Sequence, residues 1–467
     1  MANLNEKTKF ICGRNPLAKN NRPSFAHAEQ EQAALWLTGG EVNTARSGLA
    51  DYTTDLTESG DLLTMKLESD KPELNAVVVE GGTCVMLEPE ISLSGCGCSD
   101  FTCKGAGVLA ESGAKVDIRG GSIVTHGSTR AATIATTGAT LKVFDAELAT
   151  YGGPLPEGYV PVIGPGMMEP PAPLGLGGNC RTHLSMDNSE SYFYGCKIYG
   201  EAWAALSTDS SGGYVYLEAN DSSIDIGGNG YCIYSDNGCH VVLNRCTMSS
   251  GNIFGIQNGN SSVSFHDVSG TCKGYGFLIH GGMHDLEDIG TIRMEHADLT
   301  SVEEMFRCKS TNVDIYLKNC RIIAENGVIL KTMLTDDSFY YQTRSHAEDD
   351  YGVQLCMESM EVMGDFLCED PERKTCLNLV DTSLTGGVTG YPQFRLTEGS
   401  TFTATKDSQL TLIGSSNGRM PPQASPSPSR APVNPSLSPP AASWSIPHNA
   451  ILAKTRLKHP VSALFFI

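Results

Sequence analysis

The sequence has 467 residues, with 53 acidic against 33 basic side chains and a formal net charge of −20. This excess of acid argues against nucleic acid or an anionic membrane as the main partner, because a polyanion would approach against the global field. No stretch reaches the roughly 18 consecutive apolar residues that a membrane-spanning helix needs. The charged fraction is only 18% and the chain holds 50 Gly, a composition typical of short strands with frequent tight corners.

The N-terminal segment, MANLNEKTKFICGRNPLAKNNRPSF, is polar and lacks the apolar core of a secretion signal. It predicts a cytoplasmic protein, or an extracellular one if the N-terminus is incomplete. The 16 Cys are interpreted mostly as reduced, buried thiols that behave as small hydrophobes, rather than as a disulfide framework. Residues 1–75 predict an irregular cap, in which residues 29–37 could form a short helix over the first coil.

One unit recurs between residues 76 and 414: an apolar run, a small polar corner, an alternating strand, then Gly or another turn residue. The matched anchors Leu206, Ile233, Ile256 and Ile279 lie 27, 23 and 23 residues apart. This period, with β-branched strands and Gly or Asn corners, is typical of a β-solenoid, whose coils bury their inward side chains only by stacking. A β-sandwich would not keep so steady a period, and the Leu lattice of leucine-rich repeats is missing. We therefore expect an all-β chain, a right-handed parallel β-helix.

Three segments interrupt the repeat. Residues 152–180 hold too many Pro and Gly for a strand and predict a long loop that leaves the stack. Residues 331–375, rich in Met, Asp and Glu, predict an insertion. Residues 415–467 begin with a stretch rich in Pro and Ser that cannot bury enough apolar surface to fold, and they predict a disordered tail.

One column of polar residues is the strongest candidate for chemistry. Asp209 and Asp236 follow their anchors at the same offset in consecutive coils, so stacking would bring the two carboxylates to about 5 Å. The pKa of one of them should then rise, which gives an acid beside a base. Asn258 and His280 fall nearby in the next two coils, and we predict catalytic roles for Asp209, Asp236 and His280. Asp and Asn are also common corner residues that satisfy backbone N–H groups, which leaves a purely structural alternative.

A second group of candidates lies on and after the predicted loop. An Arg beside aromatic rings can hold a sugar or a carboxylate, although a salt bridge and ordinary core aromatics would have the same pattern. The predicted substrate-binding residues are Arg181, His183, Trp203, Glu218, Tyr234 and Asn258. Neither a metal nor a cofactor is predicted, because Cys96, Cys98 and Cys103 lack the spacing of a zinc site and the common nucleotide and metalloprotease motifs are missing.

The coils from about residue 77 to 415 resemble the pectin-lyase-like right-handed β-helix superfamily, which includes pectate lyases, polygalacturonases, alginate epimerases and bacterial repeat proteins described as adhesin-like. The resemblance is to an architecture and covers roughly three quarters of the chain. Ser207-Thr208-Asp209 and Ile279-His280-Gly281 only faintly match two polygalacturonase motifs, and the other two motifs are missing. The resemblance therefore implies the fold and leaves the reaction open.

Two functions are compatible with these observations. The first is an enzyme (a lyase, isomerase or hydrolase) that acts by acid–base chemistry on a carbohydrate or on a carboxylated or polyhydroxylated small molecule. The second is a non-catalytic, adhesin-like repeat protein that binds an extended ligand along its ridges. In either case the expected partner is a carbohydrate or small molecule, with no nucleic acid and no membrane, and the oligomeric state is open.

Overall fold

The protein is a stack of short strands wound into coils of three strands each, as described by a computed structural model. The structure describes residues 33–48, 52–56, 62–98, 103–155, 157, 159, 167–209, 213–281, 289–336, 351–397, 399–413 and 453–457. Within these ranges there is no α-helix, and the one helical element is a 3-10 turn at Ala172–Leu174.

The first strand of each coil belongs to a 14-stranded sheet, which we call the first face. Its strands are parallel, apart from the antiparallel pair that Glu41–Val42 forms with Ala33–Thr38. In chain order they are Ala33–Thr38, Glu41–Val42, Asn75–Glu80, Ala106–Glu111, Ala131–Ala135, Arg181–Met186, Trp203–Asp209, Gly230–Ser235, Ile253–Asn258, Phe277–His280, Phe306–Lys309, Val328–Met333, Asp365–Cys368 and Val388–Thr389.

The second strand of each coil forms the second face, again with parallel neighbours from coil to coil. These strands are Thr83–Leu87, Lys115–Arg119, Thr140–Phe144, Glu190–Tyr194, Val215–Asn220, Cys239–Asn244, Ser262–His266, Gly290–Glu295, Val313–Lys318, Val353–Glu358, Thr375–Val380, Gln393–Leu396 and Ser408–Leu412. The fold is therefore a parallel β-helix, for which a right hand is the expected chirality.

The third strand of each coil forms the third face. Its strands are Glu90–Leu93, Ser122–His126, Glu147–Tyr151, Lys197–Gly200, Ser223–Ile226, Thr247–Ser250, Ser269–Cys272, Asp298–Ser301, Arg321–Ala324, Glu361–Met363, Ser383–Gly386 and Thr401–Ala404. The long strand Leu62–Ser69 pairs with strands of both the second and the third face, so the two faces join in one 25-stranded sheet. The last three strands of the third face form a separate sheet.

Inward side chains stack in columns because like positions repeat from coil to coil. Phe254, Phe277 and Phe306 are fully buried, and the ring centroid of Phe277 lies 5.9 Å from that of Phe254 and 5.7 Å from that of Phe306. The corners between the second and third faces have a left-handed residue, for example Asp145 and Asp221 with φ of 51° and 52°. Asp and Asn adopt this conformation more readily than most residues, which explains their frequency at these corners.

The structure corrects two expectations from the sequence, the helix at 29–37 and the extent of the insertion at 331–375. In place of a helix, the described part of residues 29–37 lies in the strand Ala33–Thr38, which is already a strand of the first face. Its five buried apolar residues suit a strand covered on both sides, a pattern that periodicity does not distinguish from a buried helix. The insertion expected at 331–375 is too long, because part of this range is regular strand. Three strands belong to regular coils: Val353–Glu358, Glu361–Met363 and Asp365–Cys368.

The segments at 152–180, 415–467 and 1–75 are described only in part. Between Tyr151 and Arg181, where the loop at 152–180 was predicted, the described residues contain no strand. The expected tail at 415–467 lies outside the described residues, apart from Ala453–Leu457, which pairs antiparallel with Ser408–Leu412. The cap expected at 1–75 contains, besides Ala33–Thr38, the antiparallel pair Tyr52–Leu56 and Leu62–Ser69.

Candidate functional site

A row of polar side chains runs along the outer edge of the first face, where its strands end, with one side chain from each successive coil. Asn258 pairs with His280 in neighbouring strands. The registers of the preceding strands, when continued, set Asp209 beside Asp236 and Asp236 beside Asn258. The offset of 27 residues that was predicted from the sequence is the one by which the strands of Asp209 and Asp236 are paired. Strand spacing then separates neighbouring members of the row by about 4.8 Å along the stack.

Asp236 is held in a network of side chains. It is only 6% exposed, and its Oδ1 accepts hydrogen bonds from Asn258 Nδ2 at 2.8 Å and from the Tyr234 hydroxyl at 3.2 Å. Its backbone N–H donates to Thr208 Oγ1 at 3.1 Å. The left-handed positions among the described residues do not include Asp236, so a left-handed corner does not explain this residue. These contacts fix the carboxylate in one orientation, as a preorganised acid–base group would need.

Arg181 and Trp203 lie beside Asp209, the first member of the row. Arg181 Nη1 is 3.5 Å from Asp209 Oδ2, and the guanidinium carbon lies 4.5 Å from the centroid of the Trp203 ring. The Arg181 side chain is 2% exposed, whereas that of Asp209 is 25% exposed. A guanidinium held between a carboxylate and a ring has a fixed position, and Asp209 is the part of this group that solvent reaches.

The described end of the long loop packs on the outer surface of the first face. Its residues Leu174 and Leu176 join an apolar cluster on this surface, and Met167 packs against it. The cluster also contains Trp203, Ala204, Tyr231, Ile253, Ile256, Tyr275 and Leu278. We call residues 167–176 the cover segment. It removes part of the outer surface from water, and the polar row runs alongside the covered part.

His183 was predicted to bind substrate, but it lies inside the coil. The side chain is fully buried, with Nδ1 at 2.8 Å from Thr133 Oγ1 and Nε2 at 2.7 Å from Ser185 Oγ. Burial lowers the pKa of His183 to about 3, so the ring is neutral over the ordinary pH range. Since both ring nitrogens have hydroxyl partners within the core, we leave His183 out of the site.

Glu218 was also predicted as a binding residue, and it lies on the second face rather than beside Arg181. Its Oε2 accepts a hydrogen bond from the Tyr216 hydroxyl at 2.7 Å, and its Oε1 accepts one from Asn220 Nδ2 at 3.0 Å. The structure thus brings Arg181, Trp203, Tyr234 and Asn258 to the polar row, and sets Glu218 apart.

Beyond His280 the row is followed by charged residues that were not predicted from the sequence. His280 pairs with Lys309, whose Nζ lies 2.6 Å from Asp336 Oδ1. Nearby on the same strand, Arg307 Nε donates to Glu304 Oε1 at 2.6 Å. Burial works to raise the pKa of Glu304, but the hydrogen bonds that it accepts from Arg307 and from its own backbone, together with the charges of Arg307 and Lys331, lower it overall. The coil between His280 and Lys309 is longer than its neighbours, so an offset in the low twenties does not reach these residues from the row.

No protein-family model, curated protein or solved structure matches this chain. Within the described ranges, no three or more His, Cys, Asp or Glu side chains are grouped so that they could hold a metal ion. In the same part of the chain, no helix is long and apolar enough to cross a membrane.

Proposed function

We propose that the outer edge of the first face is the reactive surface of an enzyme that acts by acid–base chemistry on a carbohydrate or on a carboxylated or polyhydroxylated small molecule. The observation that carries this proposal is the row of Asp209, Asp236, Asn258 and His280 on successive coils. Two carboxylates, an amide and an imidazole offer proton donors and acceptors, and at about 4.8 Å per coil two neighbouring members lie within reach of one small substrate.

The surroundings of the row support a polar, partly anionic substrate. Arg181 lies at one end, beside the more exposed carboxylate of Asp209, and Lys309 follows His280 at the other. In a chain of net charge −20, these two cations, paired with Asp209 and Asp336, reduce the local negative charge that a carboxylated substrate would meet. The reaction type (lyase, isomerase or hydrolase) stays open. We further propose that the chain is related to the pectin-lyase-like superfamily, supported by its three-stranded coils and long parallel sheets.

The first test compares Asp209→Asn and Asp236→Asn with the wild-type protein on a panel of uronates, oligosaccharides and sugar acids. Loss of either carboxylate should lower turnover by about a hundredfold or more, since general acid–base catalysis contributes on that order. Asp117→Asn is the matched control, because Asp117 is a partly exposed carboxylate on the second face that pairs with Arg119. Wild-type activity in both row variants would contradict the proposal.

A second candidate function is non-catalytic binding by a repeat protein, and one observation favours it. The hydrogen bonds that Asp236 accepts from Asn258 and Tyr234 also suit a carboxylate that ties neighbouring coils together. In that case Asp236→Asn should lower the melting temperature clearly, and no member of the substrate panel should be converted. An enzyme site predicts the opposite result, lost turnover with a nearly unchanged melting temperature.

A further inference from the structure

A group of aromatic side chains lies on the outer surface of the second face. Three ring pairs form it: Phe144 and Tyr194 are stacked at 5.0 Å, Tyr192 and Tyr216 lie 5.7 Å apart, and Tyr214 and His240 lie 5.2 Å apart. We call these six residues the aromatic platform. Five of them come from neighbouring strands that pair in register, and Tyr214 directly precedes the strand Val215–Asn220, so the rings cover adjoining coils.

The platform is not part of the interior. In the strand Glu190–Tyr194 the residues at Ser191 and Phe193 are buried, whereas Tyr192 and Tyr194 on the opposite side are partly exposed. Tyr214 is 41% exposed. Large aromatic groups gathered on an exposed strand surface are typical of interaction sites rather than of ordinary protein surface.

Polar groups are arranged around the rims of these rings. The Tyr192 hydroxyl donates to Glu190 Oε2 at 3.0 Å, and the Tyr216 hydroxyl donates to Glu218 Oε2 at 2.7 Å. Asn220 Nδ2 donates to Glu218 Oε1 at 3.0 Å. An ionised carboxylate has about four acceptor positions, so these bonds orient the carboxylates and leave acceptor capacity toward solvent. The platform thus combines the ring surfaces that stacked neighbours leave open with fixed hydrogen-bond acceptors, and Lys142 Nζ lies 5.8 Å from the centroid of the Tyr192 ring.

This combination favours one class of ligand. A sugar ring has an apolar face of C–H groups that can stack on an aromatic ring, and equatorial hydroxyls that can donate to carboxylate and amide oxygens at the rim. The carboxylates of Glu190 and Glu218 would repel a polyanion, and the net charge of −20 acts in the same direction. The repeat of about 4.8 Å between coils offers successive rings along the stack to an extended chain.

We propose that the aromatic platform binds an uncharged oligosaccharide by ring stacking and by hydrogen bonds to the carboxylates of Glu190 and Glu218. This site lies on the second face, where Tyr214 and His240 follow Asp209 and Asp236 of the polar row by five and four residues. It adds to the proposed enzyme a surface that holds a neutral glycan without converting it, and it does not depend on that enzyme activity.

The test measures binding of short oligosaccharides of β-linked glucose, xylose and N-acetylglucosamine to the full chain by titration calorimetry, with an oligogalacturonate and an oligolysine as charged probes. We expect at least one neutral probe to bind. The double variant Tyr192→Thr with Tyr216→Thr should weaken it about tenfold or more, since each lost ring contact is worth up to about one factor of ten. Thr suits an exposed strand position, and an unchanged melting curve verifies folding.

Tyr316→Thr is the matched control. Tyr316 lies on the same face and its hydroxyl donates to Glu358 Oε2 at 2.6 Å, but its ring stacks against Arg293 instead of another tyrosine. This variant should bind the neutral probe as the wild type does. Binding of the oligolysine or the oligogalacturonate alone, no binding of any neutral probe, or equal losses in the platform and Tyr316 variants would each overturn the proposal.

Discussion

Arg130 is a fully buried arginine whose partners are backbone carbonyls. Nε donates to Gly95 O at 2.7 Å, while Nη1 and Nη2 donate to Leu74 O, Gly105 O, Lys71 O and Ser94 O at 2.8 to 3.0 Å. Burial lowers the pKa of Arg130 to about 10, which still leaves the side chain charged at neutral pH. One guanidinium therefore ties together three separate stretches of chain in the N-terminal coils.

Replacing Arg130 with Met should destabilise the fold strongly. The change keeps an apolar stem but leaves five carbonyls without this donor, so we expect the free energy of unfolding to fall by about 3 kcal/mol or more. Urea unfolding followed by circular dichroism measures it. Arg245→Met, which removes an exposed partner of Asp221, should change stability little. Equal effects of the two changes would show that the buried carbonyls do not depend on Arg130.

His183 gives the fold a specific dependence on pH. Its pKa is lowered by burial from 6.5 to about 3, so the unfolded chain takes up a proton at a pH where the folded chain does not. The contribution of His183 to the free energy of unfolding has its full value above pH 6.5. It falls as the pH drops toward 3, by up to about 1.4 kcal/mol per pH unit. In His183→Gln the unfolding free energy should decline less steeply over this interval. A slope equal to that of the wild type would contradict the assignment.

At the scale of the strand, the sequence predicts the coils well and their alignment less well. The pairing of Leu206 with Ile233 was predicted correctly, but Ile233 pairs with Gly255 rather than with Ile256. The reason is that Ile256 points outward and is buried in the cluster that includes the cover segment. A loop that covers an outer surface makes outward positions apolar too, so hydrophobicity alone does not separate the two sides of such a strand.

The candidate site, too, could be predicted only in part from the sequence. The members of the polar row could be predicted because each follows its apolar run by a similar distance along the sequence. The position of Glu218 could not, because it depends on which face its strand joins and not on its distance from Arg181 in sequence. The aromatic platform left a signal, since Tyr192, Tyr194 and Tyr216 alternate with buried residues in two aligned strands. Alternation of this kind marks exposed positions once the strands are paired.

At the scale of the whole molecule, the interior is rich in cysteines. Of the 15 cysteines of the described ranges, all but Cys96 are buried. Burial raises the pKa of Cys246 to about 11 and that of Cys272 and Cys368 to about 12, so the unreactive thiol form dominates at neutral pH.

Most of the 16 thiols should therefore react with a thiol reagent only after unfolding. The measurement is the number of groups modified by a coloured disulfide reagent in the native protein and in guanidinium chloride. We expect a small fast-reacting fraction in the native protein and nearly complete reaction in denaturant. Rapid modification of many thiols without denaturant would mean that the coils open readily.

The N-terminal end of the first face has a consequence for how molecules meet. Coils add to one another by parallel pairing, and a bare terminal coil would offer the same template to a second molecule. Here Glu41–Val42 turns back and pairs antiparallel with Ala33–Thr38, at the start of the stack. Part of the terminal strand is therefore already hydrogen-bonded and cannot pair in parallel with a strand of a second molecule. This disfavours end-to-end polymerisation of coils that otherwise pair readily with one another.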